Sequence, residues 1–270
     1  MACVKFLLLA LAYMCSNEVK QRCAMALKWQ TFIRSFVDNE GYKNVLDGLK
    51  NTAYIALIGF VIGVIIGSLI AIVKVASKRN GFLNFLSKIG DVYVFFFRGT
   101  PIIVQLLLIY YVLFPLMNVN VDKLVVAIVT FGLNSGAYVS EIMRSGIMSV
   151  DKGQLEAGRA LGLSYPSAML RIVLPQALKN SLPALGNELI ALVKDTSVAG
   201  FIAVFDLTQA FKAIGSSSYE YMIPYIVLAL FYLVIVGLLT IVIKLVEKRL
   251  RKSEKRESKS QKRSAKSVGA

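Results

Sequence analysis

The chain has 270 residues, 56% of them hydrophobic and 17% charged, with a mean hydropathy of +0.64. That is more apolar surface than one soluble core encloses, so the composition excludes an ordinary soluble domain and defines a polytopic membrane protein. The net charge is +15 and histidine is absent, which removes the usual general base and the commonest metal ligand, so neither catalysis nor a bound metal or cofactor is expected of this chain.

In chain order, Cys3, Cys15 and Cys23 all precede Met25 and have neither metal-ligand nor redox-pair spacing. The apolar run Phe6–Met14 is too short to span and resembles the core of a weak signal sequence. The alternative is that the first 24 residues are not translated and Met25 is the start; this is favoured because organised sequence begins near Trp29. Residues 1–28 are therefore set apart as an N-terminal extension, and residues 29–251 are read as one transmembrane domain. Five apolar stretches follow: Thr52–Val73, Ile102–Met117, Leu124–Ile142, Leu182–Phe205 and Met222–Val246. Each is about long enough to cross a hydrocarbon core of ~30 Å as a helix. Residues 252–270 are read as a disordered basic tail; from Lys248 onward the chain carries ten Lys/Arg against two Glu in a Ser-rich run. Such a tail suits anionic lipid head groups at the cytoplasmic face better than nucleic acid.

The loops set the orientation. Lys74, Lys78, Arg79, Lys88 and Arg98 cluster before the second stretch, and Arg144, Lys152, Arg159, Arg171 and Lys179 follow the third. Both segments and the tail face the cytoplasm by the excess of Lys/Arg there. The connectors around Asp122 and Lys123 and from Asp206 to Tyr221 then face outward. The N-terminus lies outside as well, although residues 1–50 hold seven Lys/Arg against four Asp/Glu.

The cytoplasmic loop at residues 151–176 interrupts the apolar pattern. Asp151 is placed to cap a helix starting at Lys152, and Gly162 to close it in the left-handed conformation. Ser164 offers a second cap, Pro166 sits near the start of a second short helix, and Pro175 ends it. Leu155 and Leu161 provide apolar knobs, while Glu156 and Arg159 have a spacing that allows them to pair. Two readings fit: an amphipathic loop in the head-group layer, or a docking element whose small residues Ala157, Gly158 and Ala160 let another surface approach closely. A nucleotide site is excluded, because Arg159 and Ala160 stand where a phosphate-binding loop needs Lys and Ser/Thr.

Glu156-Ala157-Gly158, then Gly162, then Ile172-Val173-Leu174-Pro175 resembles the EAA motif of the membrane subunits of ABC importers, with Gly in place of the second Ala. Arg98-Gly99-Thr100-Pro101 with Val104-Gln105, Asn134-Ser135-Gly136-Ala137-Tyr138 with Ser140-Glu141, Gly153-Gln154, Pro175-Gln176-Ala177 and Lys194-Asp195-Thr196-Ser197 look like the permeases of polar amino-acid uptake systems of the histidine, glutamine, arginine and cystine kind. The resemblance runs from about Trp29 to Arg251. It implies an all-α integral membrane protein of the type I importer permease fold, with about five transmembrane helices and a cytoplasmic coupling helix, in the bacterial inner membrane. It also implies partners: a cytosolic ATPase dimer, a second permease that is an identical copy or a paralogue, and an extracytoplasmic solute-binding protein. The coupling role would fall on Leu155, Glu156, Ala157, Gly158, Arg159 and Gly162.

Polar groups at membrane depth are costly and mark candidate sites. Asn134, Ser135, Ser140 and Glu141 lie along the third stretch, with Arg144 a partner for Glu141. Lys194, Asp195 and Thr196 fall halfway along the fourth, where neighbours on a helix point roughly 100° apart, so Lys194 and Asp195 cannot both face one cavity. Singly these residues read as interhelical hydrogen-bonding groups; as a set they line a path for a polar amino acid. Arg98 is read as an interfacial anchor, Gln105 as a weaker candidate for the path, and the Gly63/Gly67 pair as a site of close helix packing. The rival function is an ion-coupled secondary transporter using Glu141, Lys194 and Asp195, for which no inverted repeat is evident.

Overall fold

The computed structural model describes residues 21–22, 24–76 and 81–268, with side chains described as far as residue 249. The Phe6–Met14 run and the three cysteines lie outside these residues. Among the described residues all regular structure is helical. A helix over residues 24–33 runs into a π-helical turn at Arg34–Asp38. Then come α1 (Gly41–Ala76), α2 (Gly81–Gly99) and α3 (Ile102–Leu116). They are followed by α4 (Lys123–Met148), α5 (Lys152–Ala160) and α6 (Tyr165–Ala168). α7 (Leu174–Asp195) leads into a 3₁₀ turn at Thr196–Ile202, and α8 (Leu207–Ser218) and α9 (Met222–Val268) complete the chain.

Three helices among the described residues are long and apolar enough to cross a membrane by themselves: α1, α4 and the Met222–Arg249 part of α9. They contain the first, third and fifth expected spans. The second expected span, Ile102–Met117, corresponds to α3, which is one arm of a pair with α2 bent by 108°. The fourth, Leu182–Phe205, corresponds to the second half of α7 and the 3₁₀ turn, where Glu188, Lys194 and Asp195 dilute the apolar character. α9 does not stop where the tail was expected to lose regular structure. No Gly or Pro occurs between Gly237 and Gly269, and extending an existing helix fixes one residue per added hydrogen bond, without a new nucleus.

Pro175 sits where the sequence was expected to end a helix, yet the helix continues. Pro175 lies in the first turn of α7, directly after a π-helical turn at Met169–Val173. Pro115 likewise follows a π-helical turn at Ile109–Leu113 inside α3. A proline lacks the N–H of the regular ladder and its ring crowds the carbonyl four residues back. The wider π turn carries the backbone past that point, so the chain is re-phased instead of broken.

The chain divides into two compact units, Met1–Lys50 with Phe205–Tyr232, and Asn51–Val204 with Leu233–Ala270. In the first, Lys28 pairs with Glu220 at 3.1 Å and its hydrogen bond holds that carboxyl below the usual range. Asp206 caps α8, accepting from the backbone N–H groups of Thr208 (3.1 Å) and Gln209 (3.0 Å). Phe211 and Phe231 meet edge to face, 5.3 Å between ring centres.

In the second unit, α4 is the central helix. Its Gly132 and Gly136 face α1, where Gly59, Gly63 and Gly67 recur every fourth residue. A methyl group on Gly63 would stand 2.7 Å from the Ser135 side chain, and one on Gly67 would stand 2.7 Å from the backbone of Gly136 and Ser140. Backbone meets backbone here, as helix pairs in lipid require. On its other side α4 packs against α7: Ser181 Oγ donates to the Ile142 carbonyl (3.4 Å) and Asn180 Nδ2 to Ser149 Oγ (2.9 Å). One buried cluster, with Ala71, Val139, Met143, Ile147, Val173 and Ala177, joins α1, α4 and α7. Gly67→Val should therefore lower the stability of the detergent-solubilised chain by about 3 kcal/mol or more, the upper range for overpacking against backbone. Gly237→Ala, in open space on α9, should instead raise it by about 0.5–1 kcal/mol. Thermal unfolding of the two variants checks the contrast.

Candidate functional site

The cytoplasmic loop is built largely from its own sequence. Asp151 caps α5, its Oδ1 accepting from Gly153 N at 2.7 Å. The helix closes in a Schellman turn: Gly162, at φ 88°, donates from its N–H to the Arg159 carbonyl (3.0 Å), and Leu163 N donates to the Gly158 carbonyl (3.2 Å). Ser164 caps α6, accepting from Ser167 N at 3.4 Å. The chain then passes through the π turn at Met169–Val173 into α7, so α5 and α7 are joined by a folded strut.

The residues of α5 divide by exposure. Glu156, Ala157, Arg159 and Leu161 are exposed, and among the described residues neither Glu156 nor Arg159 forms an ion pair, so the expected Glu156–Arg159 contact is not made. Each head group stays in water, where a surface pair gains little. Leu155 is half-buried and packs on the cluster that joins α1, α4 and α7. Gly158 is buried, and the reason for glycine there is internal. A methyl group at Gly158 would stand 2.6 Å from Ile172 Cδ1 and 3.4 Å from Ala168 Cβ. The small side of α5 thus accommodates the loop's own second half.

The polar residues expected along the third and fourth stretches separate in space. Asn134 is buried and holds the break between α2 and α3: its Nδ2 donates to Gln105 Oε1 (2.9 Å) and to the Phe97 carbonyl (3.3 Å). Gln105 in turn donates to the Phe97 carbonyl (2.8 Å), the Thr100 carbonyl (2.9 Å) and Thr100 Oγ1 (2.8 Å). These bonds satisfy carbonyls that the 108° bend leaves without helical partners, an obligation for any bend at membrane depth. Ser140 Oγ donates to the Ala137 carbonyl of its own helix at 2.8 Å, at the place where Gly67 packs. Thr196 Oγ1 donates to the Val193 carbonyl at 2.8 Å.

Glu141 belongs to a charge network. Its Oε2 accepts from Arg144 (2.8 Å), as expected, and its Oε1 from Lys74 of α1 (3.2 Å); Lys74 also pairs with Asp91 of α2 (2.9 Å). Arg98 places its guanidinium 5.4 Å from the centre of the Tyr138 ring. Lys194 and Asp195 are exposed at the junction of α7 with the 3₁₀ turn, not in the middle of a continuous helix.

One residue of this group was not anticipated. It is Glu188, whose carboxyl meets the side-chain hydroxyl of the fully buried Ser135. Glu188 and Asp195 are seven residues apart, two turns, and so share one face of α7. The signal was present, since Glu188 is a carboxylate inside an apolar stretch, but it stands outside the motif at Lys194–Ser197.

Polar groups buried within a helical membrane core, beside a short capped helix packed on the spans, fit a transport component. The family described as the binding-protein-dependent transport system inner membrane component matches residues 50–252, and the chain belongs to it. Among its relatives is the arginine transport system permease protein ArtQ of Bacillus subtilis (strain 168), 39% identical over 71% of this chain and 85% of that protein. The L-cystine transport system permease protein TcyB of the same organism is 37% identical over 79% and 87%. A putative glutamine transport system permease protein GlnP of Rickettsia bellii (strain RML369-C) is 37% identical over 72% and 87%. A solved amino acid ABC transporter with histidines superposes with a TM-score of 0.70, at 35% identity, over 79% of this chain and 97% of that one. The MetNI methionine ABC transporter, in an inward-facing conformation, shares the fold at a TM-score of 0.62 and 20% identity, over 77% and 95%. The chain is an integral inner-membrane permease of the type I importer fold, whose system includes an ATPase and a binding protein.

The Gly158–Ile172 contact yields a test of the loop's construction. Gly158→Ala should destabilise the loop by about 1 kcal/mol, because Ile172 Cδ1 must turn aside. Ile172→Val removes that atom, so Gly158→Ala added to it should cost much less. The expected coupling of about 1 kcal/mol is measurable as a double-mutant cycle on thermal unfolding or on amide exchange in α5.

Proposed function

We propose that this chain carries a polar amino acid across the membrane, with α5 receiving the motion of the ATPase dimer and Leu155 passing it to α4 and α7. The observation that carries the reading is the division of α5: Glu156 projects freely, while the adjacent Leu155 packs on the cluster shared by the spans. An ATPase that grips the exposed side of α5 would shift α4 and α7 as packed units, because cores move between discrete arrangements and do not deform continuously. Glu156, Ala157, Arg159 and Leu161 form the surface offered to the ATPase; Gly158 and Gly162 keep that surface in shape. The cargo class rests on the relatives, whose names specify arginine, L-cystine and glutamine.

Along the path, we assign direct contact with the amino acid to Asp195 and, two turns back on the same face, Glu188, with Ser135 buried beside Glu188 and Lys194 turned about 100° away toward a neighbouring helix. Asn134, Ser140, Glu141 and Thr196 support it, by holding the α2–α3 bend, the α1–α4 seam, the charge network and the end of α7. The second permease of the importer, an identical copy or a paralogue, supplies the opposite wall. An ion-coupled secondary transporter would have no use for an exposed helix anchored to the spans.

Glu156→Lys should leave the chain inserted and folded while the ATPase no longer co-purifies with it. Normal co-purification together with normal uptake would refute the docking role. Glu188→Gln and Asp195→Asn should each reduce uptake on the order of tenfold, the scale of a lost charge-assisted contact, with the ATPase still bound. Uptake and ATPase co-purification measured on the same membranes separate the two classes.

A further inference from the structure

An apolar cavity of about 610 Å³ lies against the membrane side of the loop's second half. Ile72 and Val75 of α1, Leu83 of α2, Ile147 of α4, and Met169 and Leu174 wall it. Its volume falls within the ~300–1,000 Å³ of cavities that hold a small molecule. Its α1 and α4 residues, Ile72, Val75 and Ile147, belong to the last turns of those helices, the end that the Lys/Arg-rich segments assign to the cytoplasm. Its polar groups are gathered in one place: Arg159, with Ser164 and Tyr165 beside it. Among the described residues of the lining, Arg159 is the one charged side chain, and it forms no ion pair with another described residue.

We infer that this cavity holds an acyl chain of an anionic phospholipid, whose phosphate is met by the Arg159 guanidinium. The greasy wall supplies the contact area that an acyl chain needs. The guanidinium, with a planar fork of donors, suits the phosphate diester and prefers a lipid that carries net negative charge. A zwitterionic lipid would bring its own cation to the same place and gain less. Because one wall is the Met169–Val173 turn and the polar group comes from α5, such a lipid would brace the strut between α5 and α7. The site shares Arg159 with the proposed docking surface, so its test reads lipid on the chain without the ATPase and does not read transport.

The full chain, reconstituted in phosphatidylcholine vesicles with and without phosphatidylglycerol and then extracted in mild detergent, should retain phosphatidylglycerol over phosphatidylcholine by roughly fivefold in native mass spectra. Phosphatidylglycerol with a photoreactive acyl chain should label peptides containing Ile147 and Met169–Leu174. Arg159→Gln should abolish the head-group preference but keep the labelling. Met169→Trp, which fills the cavity, should remove the labelling; Leu83→Trp fills it from the opposite wall and serves if the first variant does not fold. Equal retention of the two lipids, labelling confined to the outer face of α9, or a preference that survives Arg159→Gln would each overturn the assignment.

Discussion

Helices in lipid gain little by burying apolar side chains against one another, because the bilayer is already apolar. Contact must come instead from backbones that approach closely and from polar groups that find partners, and α4 is where both requirements meet. Glycines on α1 and α4 bring those two helices together, Asn134 of α4 closes the break between α2 and α3, and Ser149 and the Ile142 carbonyl receive α7. Removing the small residues would leave the Asn134 network without its scaffold, and removing Asn134 would leave Gln105 Oε1 without its donor and the Phe97 carbonyl held by Gln105 alone.

The same constraint explains why so few of the intramembrane polar groups are free. Asn134, Gln105, Ser140 and Thr196 all have hydrogen bonds within the chain, and Glu141 has two cations. Glu188 differs: its half-buried carboxyl meets the buried Ser135 hydroxyl and forms no ion pair among the described residues. A group left in that state within a bilayer is costly, and a site that accepts a polar cargo is a physical reason to retain it.

Much of this architecture was legible in the sequence, because the features that specify it are local. The cap at Asp151, the left-handed closure at Gly162 and the Ser164 cap each depend on a few neighbouring residues, and the apolar stretches locate the spans within a few positions. What was not legible depends on partners distant in sequence. Nothing near Asn134 announces that Gln105 and Phe97 are its partners, nor does Glu141 reveal that Lys74 joins Arg144 around it. The glycine at position 158 reads as a surface for a visitor until Ile172, fourteen residues on, is seen to occupy the space. Pro175 misled in the other direction, because a proline is a stop signal only while the turn before it stays α-helical.

The π turn at Met169–Val173 sets a phase relation. Each residue of an α-helix advances the direction of its side chain by roughly 100°, so one residue added to or dropped from a turn rotates everything downstream by that angle. The face of α7 that carries Glu188 and Asp195 is therefore oriented, relative to α5, by how this turn is wound. If the turn tightened to an ordinary α-helical one, the two carboxylates would swing about a quarter of the way around the helix relative to α5. The angular setting of that face is thus held in five residues, of which the loop motif marks only Ile172 and Val173.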